Sequence, residues 1–196
     1  SGHPLEKYEG ILPLYADTTT NGVSDFSSGS SVKIGGIITN LKSIYTRSSN
    51  RMARFTLEDL EGRCEVIVFP SVWEKYNTYL RQDLPVLVEG VIESNSPPYS
   101  LKASRIIPLS EVFRYYVVEV HINLNQEKSS LWMLEEIKKI MEEHRGKSKV
   151  YLHFHNNQHK VTLQVNPKYY VEPSLGFKEK IEKVVGEEIV KFTIHS

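Results

Sequence analysis

The sequence predicts a small all-β barrel of five strands followed by a compact α+β domain. Three β-patterned stretches between Val32 and Phe69 are followed by a helical pattern and then by two more strands reaching Pro108. A glycine pair, Gly35-Gly36, lies inside the first long stretch, where a bulge or bend would let one strand serve two sides of a barrel. Beyond residue 110 the order becomes strand, helix, two strands, helix, strand, which suggests a separate α+β unit.

The elements follow in chain order. Ser1-Gly-His-Pro-Leu has no initiator Met and no processing signal, and residues 16–31 (ADTTTNGVSDFSSGSS) have the composition of a flexible connector. Residues 1–31 are therefore expected to be a linker from a larger body, with the barrel over 32–110 and the α+β domain over 111–196. The barrel is organised around Arg51 to Phe69, which reads as a β-hairpin. Ala53, Phe55 and Leu57 alternate with Met52, Arg54, Thr56 and Glu58, and Cys64, Val66 and Val68 alternate with Glu65, Ile67 and Phe69. Glu61-Gly62 is the expected turn, with the glycine free to take a positive φ. One face is expected to be core, the other to offer Arg54, Ile67 and Phe69 outward.

Pro70 closes the hairpin, and Ser71 with Glu74 reads as a capping box opening a helix whose apolar face is Val72, Trp73, Tyr76 and Leu80. Strands are expected over Leu84–Glu93 and Ser100–Pro108, with a turn at SNSPPY. Three strands, a helix between the third and fourth, then two strands is the order of an OB-fold. In that architecture oligonucleotides lie on strands 2 and 3, flanked by the 1–2 and 4–5 loops.

In the second domain Tyr116–Leu124 alternates as a strand. Ser130–His144 reads as a helix with Leu131, Leu134, Ile137 and Met141 on one stripe and Gly146 beyond its end. KVYLHFH and HKVTLQV pair around Asn156-Asn157, and Tyr169-Tyr170-Val171 suggests a short strand. Pro173-Ser174 opens a helix that buries Phe177, Ile181, Val184 and Val185 and stops at Gly186, before a last strand over Glu188–Ile194.

Composition bounds the function. The 196 residues are 40% hydrophobic and 24% charged, enough for a buried core, and carry zero net charge. No apolar run approaches the roughly 18 residues of a membrane span, no basic-then-apolar leader is found, and lone Cys64 fits a reducing compartment, so a cytoplasmic protein without membrane partners is expected. Charge is unevenly spread. Residues 1–31 hold Glu6, Glu9, Asp17 and Asp25 against Lys7 alone, whereas Lys42 to Arg54 contains Lys42, Arg47, Arg51 and Arg54 with no acid. A basic loop beside a hairpin that mixes guanidinium and aromatic groups points to a polyanion whose bases can stack. A merely solvated basic loop on an amphipathic hairpin is the plainer alternative.

The run IGGIITNLKSIYTRSSNRMARFTLEDLEGRCEVIVFPSVWEKYNTYLRQDLPVLVEGVIE, with its F-T-L-E-D-L-x-G…V-F-P string, resembles the OB domain of the bacterial replicative DNA polymerase III alpha subunit. SGHPLEKYE is similar to the segment leading into that domain. MLEEIKKIMEEHRG, KVYLHFH and VEPSLGFKEKIEKVVGEEIVKF resemble the family's extreme C-terminal domain. The resemblance implies an OB domain that binds single-stranded template DNA and a C-terminal domain that contacts the tau subunit of the clamp loader. Other replisome proteins would be met through the full-length chain. Polymerisation would reside upstream, so the resemblance implies no enzyme, no catalytic residue and no cofactor in this segment. Ser48-Ser49 departs from the family pattern, where a basic residue and Gly often sit, and is expected to weaken binding.

Single-strand binding needs cations at phosphate spacing and flat groups for bases. The candidates are Lys42, Arg47, Arg51 and Arg54 for phosphates, with Arg47 and Arg51 foremost because the loop should project them. Tyr45, Phe69 and Tyr99 are candidates for stacking, though each equally suits core or loop packing, and Lys102 and Arg105 on the last barrel strand are further cations. His153, His155 and His159 invite a metal reading, but zinc asks for four ligands and Cys64 lies in the other domain, so packed or solvated histidines and no metal are expected. Cys64 at an inward strand position reads as a small buried hydrophobe. Two other functions remain open: an anticodon-type OB domain of a tRNA synthetase, and an OB module used only for protein docking.

Overall fold

The computed structural model describes residues 4–156, 158–187 and 189–194. The chain divides into two compact units, Ser1–Leu109 and Ser110–Ser196. Asn157 of the expected second hairpin turn and Glu188 of the expected last strand lie outside the described residues.

The first unit begins with a 3-10 turn (Glu6–Tyr8), helix α1 (Leu12–Tyr15) and a second 3-10 turn (Gly22–Asp25). This stretch is not a free connector, despite its composition. Leu5, Tyr8, Ile11, Tyr15 and Val23 are buried. Polar residues fasten it to the barrel: the Lys33 amide donates to Asp17 at 2.8 Å, and the Thr20 amide and hydroxyl both donate to Asp59 at 2.7 Å. Serine and threonine here satisfy backbone and carboxylate groups, a use that composition alone does not distinguish from solvation.

The barrel comprises β1 (Ser31–Tyr45), β2 (Arg51–Glu58), β3 (Arg63–Val68), helix α2 (Pro70–Tyr76), β4 (Pro85–Ser94) and β5 (Ser100–Pro108). It closes in the order β1-β2-β3-β5-β4, with β3 parallel to β5 and the other pairs antiparallel. β1 serves both sides: residues 31–37 pair with β4 and residues 37–45 with β2. The irregularity that allows this is not at Gly35-Gly36, whose register with Leu87 and Val86 is continuous. It falls between Thr39 and Lys42, where Asn40 takes φ 50°. The glycines answer a different need, close approach. A Cβ at Gly35 would stand 2.2 Å from Leu12 Cδ2, and one at Gly36 would stand 2.7 Å from Leu57 Cγ. Either would force the first helix or β2 outward.

The inward alternation of Ala53, Phe55 and Leu57 with Cys64, Val66 and Val68 meets Val86, Val88, Leu101 and Ile106 in a fully buried core. Each such large side chain contributes roughly 1.5–3 kcal/mol of burial. The hairpin turn does not depend on a positive φ at Gly62. The Asp59 carboxylate instead accepts the amides of Glu61 and Gly62 at 2.9 Å, closing the turn as an Asx motif. Helix α2 starts one residue before the expected capping box: Pro70 is its first residue, Phe69 its N-cap, and no side chain caps it. A proline at the first helical position presets φ and needs no amide partner, which replaces the cap.

The second unit contains α3 (Val112–Tyr116), β6 (Val117–Asn125), α4 (Leu131–Glu143), β7 (Arg145–His155), β8 (Lys160–Gln164), α5 (Leu175–Val185) and β9 (Val190–Ile194). The sheet order is β8-β7-β6-β9, with β6 and β7 parallel. Ser130 and Ser174 cap α4 and α5 by accepting the amides of Met133 and Phe177. The buried stripe of α4 is Ile137, Ile140 and Met141; Leu131 is 75% exposed, outside the expected stripe. Gly146 does not end α4 but lies within β7, where a Cβ would stand 2.2 Å from the Glu172 amide nitrogen. Residues 167–169 form a 3-10 turn rather than a strand, and Val171 makes isolated bridges to Arg145 and Ser148. Gly186 ends α5 in the left-handed region at φ 79°, as expected.

Candidate nucleic-acid interface

The strand register brings some of the expected site residues into one row. Lys42 pairs with Arg54, Arg54 with Ile67, and Ile67 with Lys102, so the row crosses β1, β2, β3 and β5 on the outward face. With strands about 4.8 Å apart, Lys42 and Arg54 are neighbours and Lys102 lies roughly 10 Å from Arg54. All three cations are exposed. Ile67, expected to face outward, is only 7% exposed between them. Long side chains on both neighbouring strands cover a β-branched residue by laying their stems across it. Phe69 is half-buried one residue past β3, with Lys102 Nζ 4.7 Å from its ring centroid. Ile44 and Met52 pair in the next row. The face thus sets a cationic row beside an apolar one. Glu65 interrupts it, 3.6 Å from Arg54.

Other candidates fall elsewhere. Arg51 pairs with Tyr45 and shares the strand phase of Ala53, opposite to Lys42 and Arg54. Its Nε donates to the Tyr45 hydroxyl at 3.0 Å, and its guanidinium lies 5.6 Å from the Tyr45 ring and 5.9 Å from that of Trp73. Arg51 therefore belongs to a cation–π cluster at the barrel rim. Arg47 is exposed at the tip of the β1–β2 loop and pairs with no carboxylate among the described residues. That loop uses Ser48 and Ser49 directly: Ser48 Oγ lies 3.0 Å from Thr46 Oγ1, and Ser49 takes φ 60°. Tyr99 packs against the barrel core, and Arg105 sits in register with Glu89, 3.8 Å away, on the β4–β5 side. Neither joins the cationic row.

Residues 32–109 match the family model described as an OB-fold nucleic acid binding domain. The first unit is an OB-fold barrel. Over nearly its whole length the chain is also similar to DNA polymerase III alpha subunits. It is 26% identical over 197 residues to that of Borreliella burgdorferi, covering 97% of this chain and 17% of that protein. Against the Thermus aquaticus subunit it is 33% identical over 159 residues, 78% of this chain and 12% of that protein. The Bacillus subtilis subunit is 25% identical over 194 residues, again 97% and 17%. The chain thus spans less than a fifth of these relatives' length. Among solved structures, the mitochondrial single-stranded DNA binding protein Rim1 of S. cerevisiae is 21% identical with a TM-score of 0.30, covering 42% of this chain and 96% of that one. That likeness is too slight to add to the strand order.

The OB-fold barrel holds its cysteine in the core. Burial, with Glu65 and Asp59 nearby, pushes the Cys64 thiol up to about 12, which keeps it protonated and unreactive at neutral pH. Among the described residues no group of three or more His, Cys, Asp or Glu is arranged to hold a metal. His153 instead bonds His121 and Thr162, while His155 and His159 are exposed. Sequence reasoning placed Trp73 only on a helix face and missed it beside Arg51. It also did not single out His121, whose signal was the strand phase it shares with Tyr151 and His153, visible only once β6 and β7 were known to pair. No described helix is long and apolar enough to cross a membrane.

Proposed function

We propose that this chain is the template-holding and partner-binding segment of a DNA polymerase III-type alpha subunit in the bacterial cytoplasm. Single-stranded DNA lies on the outer face of β1, β2, β3 and β5. Lys42, Arg54 and Lys102 neutralise phosphates, Arg47 reaches from the loop, and Phe69 with the Tyr45–Arg51–Trp73 rim supplies surfaces for bases. The observation that carries this reading is the register row Lys42–Arg54–Ile67–Lys102 on an OB-fold barrel. Polymerisation belongs to the remainder of a longer protein. The test is fluorescence anisotropy of a labelled single-stranded oligonucleotide across a salt series. Binding should weaken with salt, and Arg54→Glu/Lys102→Glu should reduce it at least tenfold, in keeping with the loss of about two phosphate contacts. Unchanged affinity in the folded double variant would overturn the site.

The second unit is the tau-contacting part of the same proposal. Similarity to alpha subunits extends across it, and Leu131 and Trp132 on α4 are 75% and 61% exposed, unusual for large apolar side chains. Trp132→Ala should leave the fold intact and weaken binding of a purified tau subunit. Equal affinity of wild type and variant would remove Trp132 from that surface.

A further inference from the structure

The second unit has a sheet face that is neither core nor apolar. Along β6 and β7, Val120, Ile122, Leu124 and Val150 are buried, whereas the alternate positions Glu119, His121, Tyr151 and His153 are only partly so. Three rings on these alternate positions lie nearly parallel: His121 is inclined 11° to Tyr151 and 18° to His153, each with centroids 5.1 Å apart. His121 Nδ1 and His153 Nε2 are 2.9 Å apart. A ring nitrogen accepts or donates in its own plane, so a contact this short at this centroid distance means that the two imidazoles lie side by side, joined edge to edge, rather than stacked face on face. The pair is locked in place, because His153 Nδ1 also lies 2.8 Å from Thr162 Oγ1. The Tyr151 hydroxyl donates to Glu119 at 3.2 Å. The result is a band of nearly parallel rings fixed on a sheet, the two imidazoles edge to edge and Tyr151 stacked on His121.

Cations surround it. Register puts Lys149 beside Glu119, Lys191 beside His121 and Lys160 beside His155. Among the described residues Lys160 and Lys191 pair with no carboxylate, and Glu119 is the single acid at the strand positions of this face. That one carboxylate is already engaged by Tyr151, by Lys149 at 3.9 Å and by His121 at 3.7 Å.

We propose that this face is a second binding surface for single-stranded nucleic acid, with bases placed on the Tyr151–His121–His153 band and phosphates on Lys149, Lys160 and Lys191. Flat rings beside lysines, of which Lys160 and Lys191 pair with no carboxylate among the described residues, suit a strand whose bases are unstacked and whose backbone is anionic; a duplex hides its base faces, and an acidic peptide has no use for the rings. The surface belongs to the second unit, and the proposal does not depend on the barrel binding DNA.

Amide NMR of the intact 196-residue chain, titrated with an oligothymidylate of about 16 nucleotides, tests it residue by residue. Saturable shifts are expected over residues 119–123 and 149–153, and they should persist in Arg54→Glu/Lys102→Glu. Lys149→Gln/Lys191→Gln should weaken that set of shifts roughly tenfold. Tyr151→Phe should bind as wild type while Tyr151→Leu loses affinity; both remove the bond to Glu119, so the difference isolates the ring. Shifts confined to barrel residues, or second-unit shifts indifferent to the lysine and ring substitutions, would overturn the proposal.

Discussion

The barrel's cationic face and the open sheet face of the second unit are built from the same alternation, yet they present opposite balances of charge and ring. On the barrel, exposed long cations form the row and the aromatic group, Phe69, is half-buried under Lys102. On the second sheet the rings are fixed by hydrogen bonds and the lysines stand around them. Charge-led and ring-led surfaces respond differently to salt. Phosphate contacts release counterions and carry the salt slope, whereas stacking contributes affinity that salt hardly touches.

The largest expected effect comes from reversing charge on the barrel row. Arg54→Glu/Lys102→Glu should lose tenfold or more in affinity and flatten the salt slope by about two, read from anisotropy between low and high salt. Tyr151→Leu should do the opposite at the second sheet. It should lose affinity by the equivalent of about 1–3 kcal/mol while the salt slope of the second-unit shifts stays as in wild type. If both variants changed slope alike, the distinction between the surfaces would break. Glu65 sharpens the contrast from the other side. Its pairing with Arg54 at 3.6 Å competes with phosphate, so Glu65→Gln should tighten oligonucleotide binding a few-fold, consistent with about 1 kcal/mol or less for an exposed ion pair.

Acid should act on the second unit through His153. His153 is held below its ordinary 6.5, first by partial burial, then by His121 and Lys160. The unfolded chain therefore binds this proton more readily than the folded one. The contribution is present above pH 6.5 and is lost as pH falls from there through the lower folded value. The groups around the ring, Glu119, His121, Tyr151, Lys149, Lys160 and Lys191, define its field. Thermal melts of wild type and His153→Gln should converge as pH falls below 6.5, and parallel pH profiles would remove this role. A comparably small effect is at the β1–β2 loop. Ser49 occupies the left-handed region at φ 60°, so Ser49→Gly should stabilise the barrel by about 1 kcal/mol in denaturant melts.

Much of this architecture was legible from local pattern. The period-2 runs located β2, β3, β4 and β5 within a residue or two, because each has one face in the core and a register slip would expose every inward side chain. Apolar residues at helical spacing located α4 and α5 for an equally local reason, and Ser130 and Ser174 cap them. Misreadings arose where a residue's role depends on something distant in sequence. Gly35 looked like a bend and is instead the seat of Leu12; Gly146 looked like a helix stop and is the seat of the Val171–Glu172 backbone. Residues 16–31 looked like a tether because their hydrogen-bond partners, Lys33, Asp59 and Glu61, lie in the barrel.

The candidate site divides along the same line. The basic stretch from Lys42 to Arg54, the strand–helix order and the resemblance to alpha subunits were all present in the amino-acid order, since they depend on residue type and short spacing. Which of those cations stand together was decided by pairing. A one-residue shift in the β1–β2 register, set by the irregularity between Thr39 and Lys42, determines that Lys42 faces Arg54 while Arg51 turns to Tyr45 and Trp73. The parallel closure of β3 on β5 brings in Lys102 from 48 positions beyond Arg54. In the second unit the union of His121 with His153 required β6 to lie beside β7. Periodicity in a sequence states that a side chain has a face; only hydrogen-bonded pairing between strands far apart in the chain states what shares it.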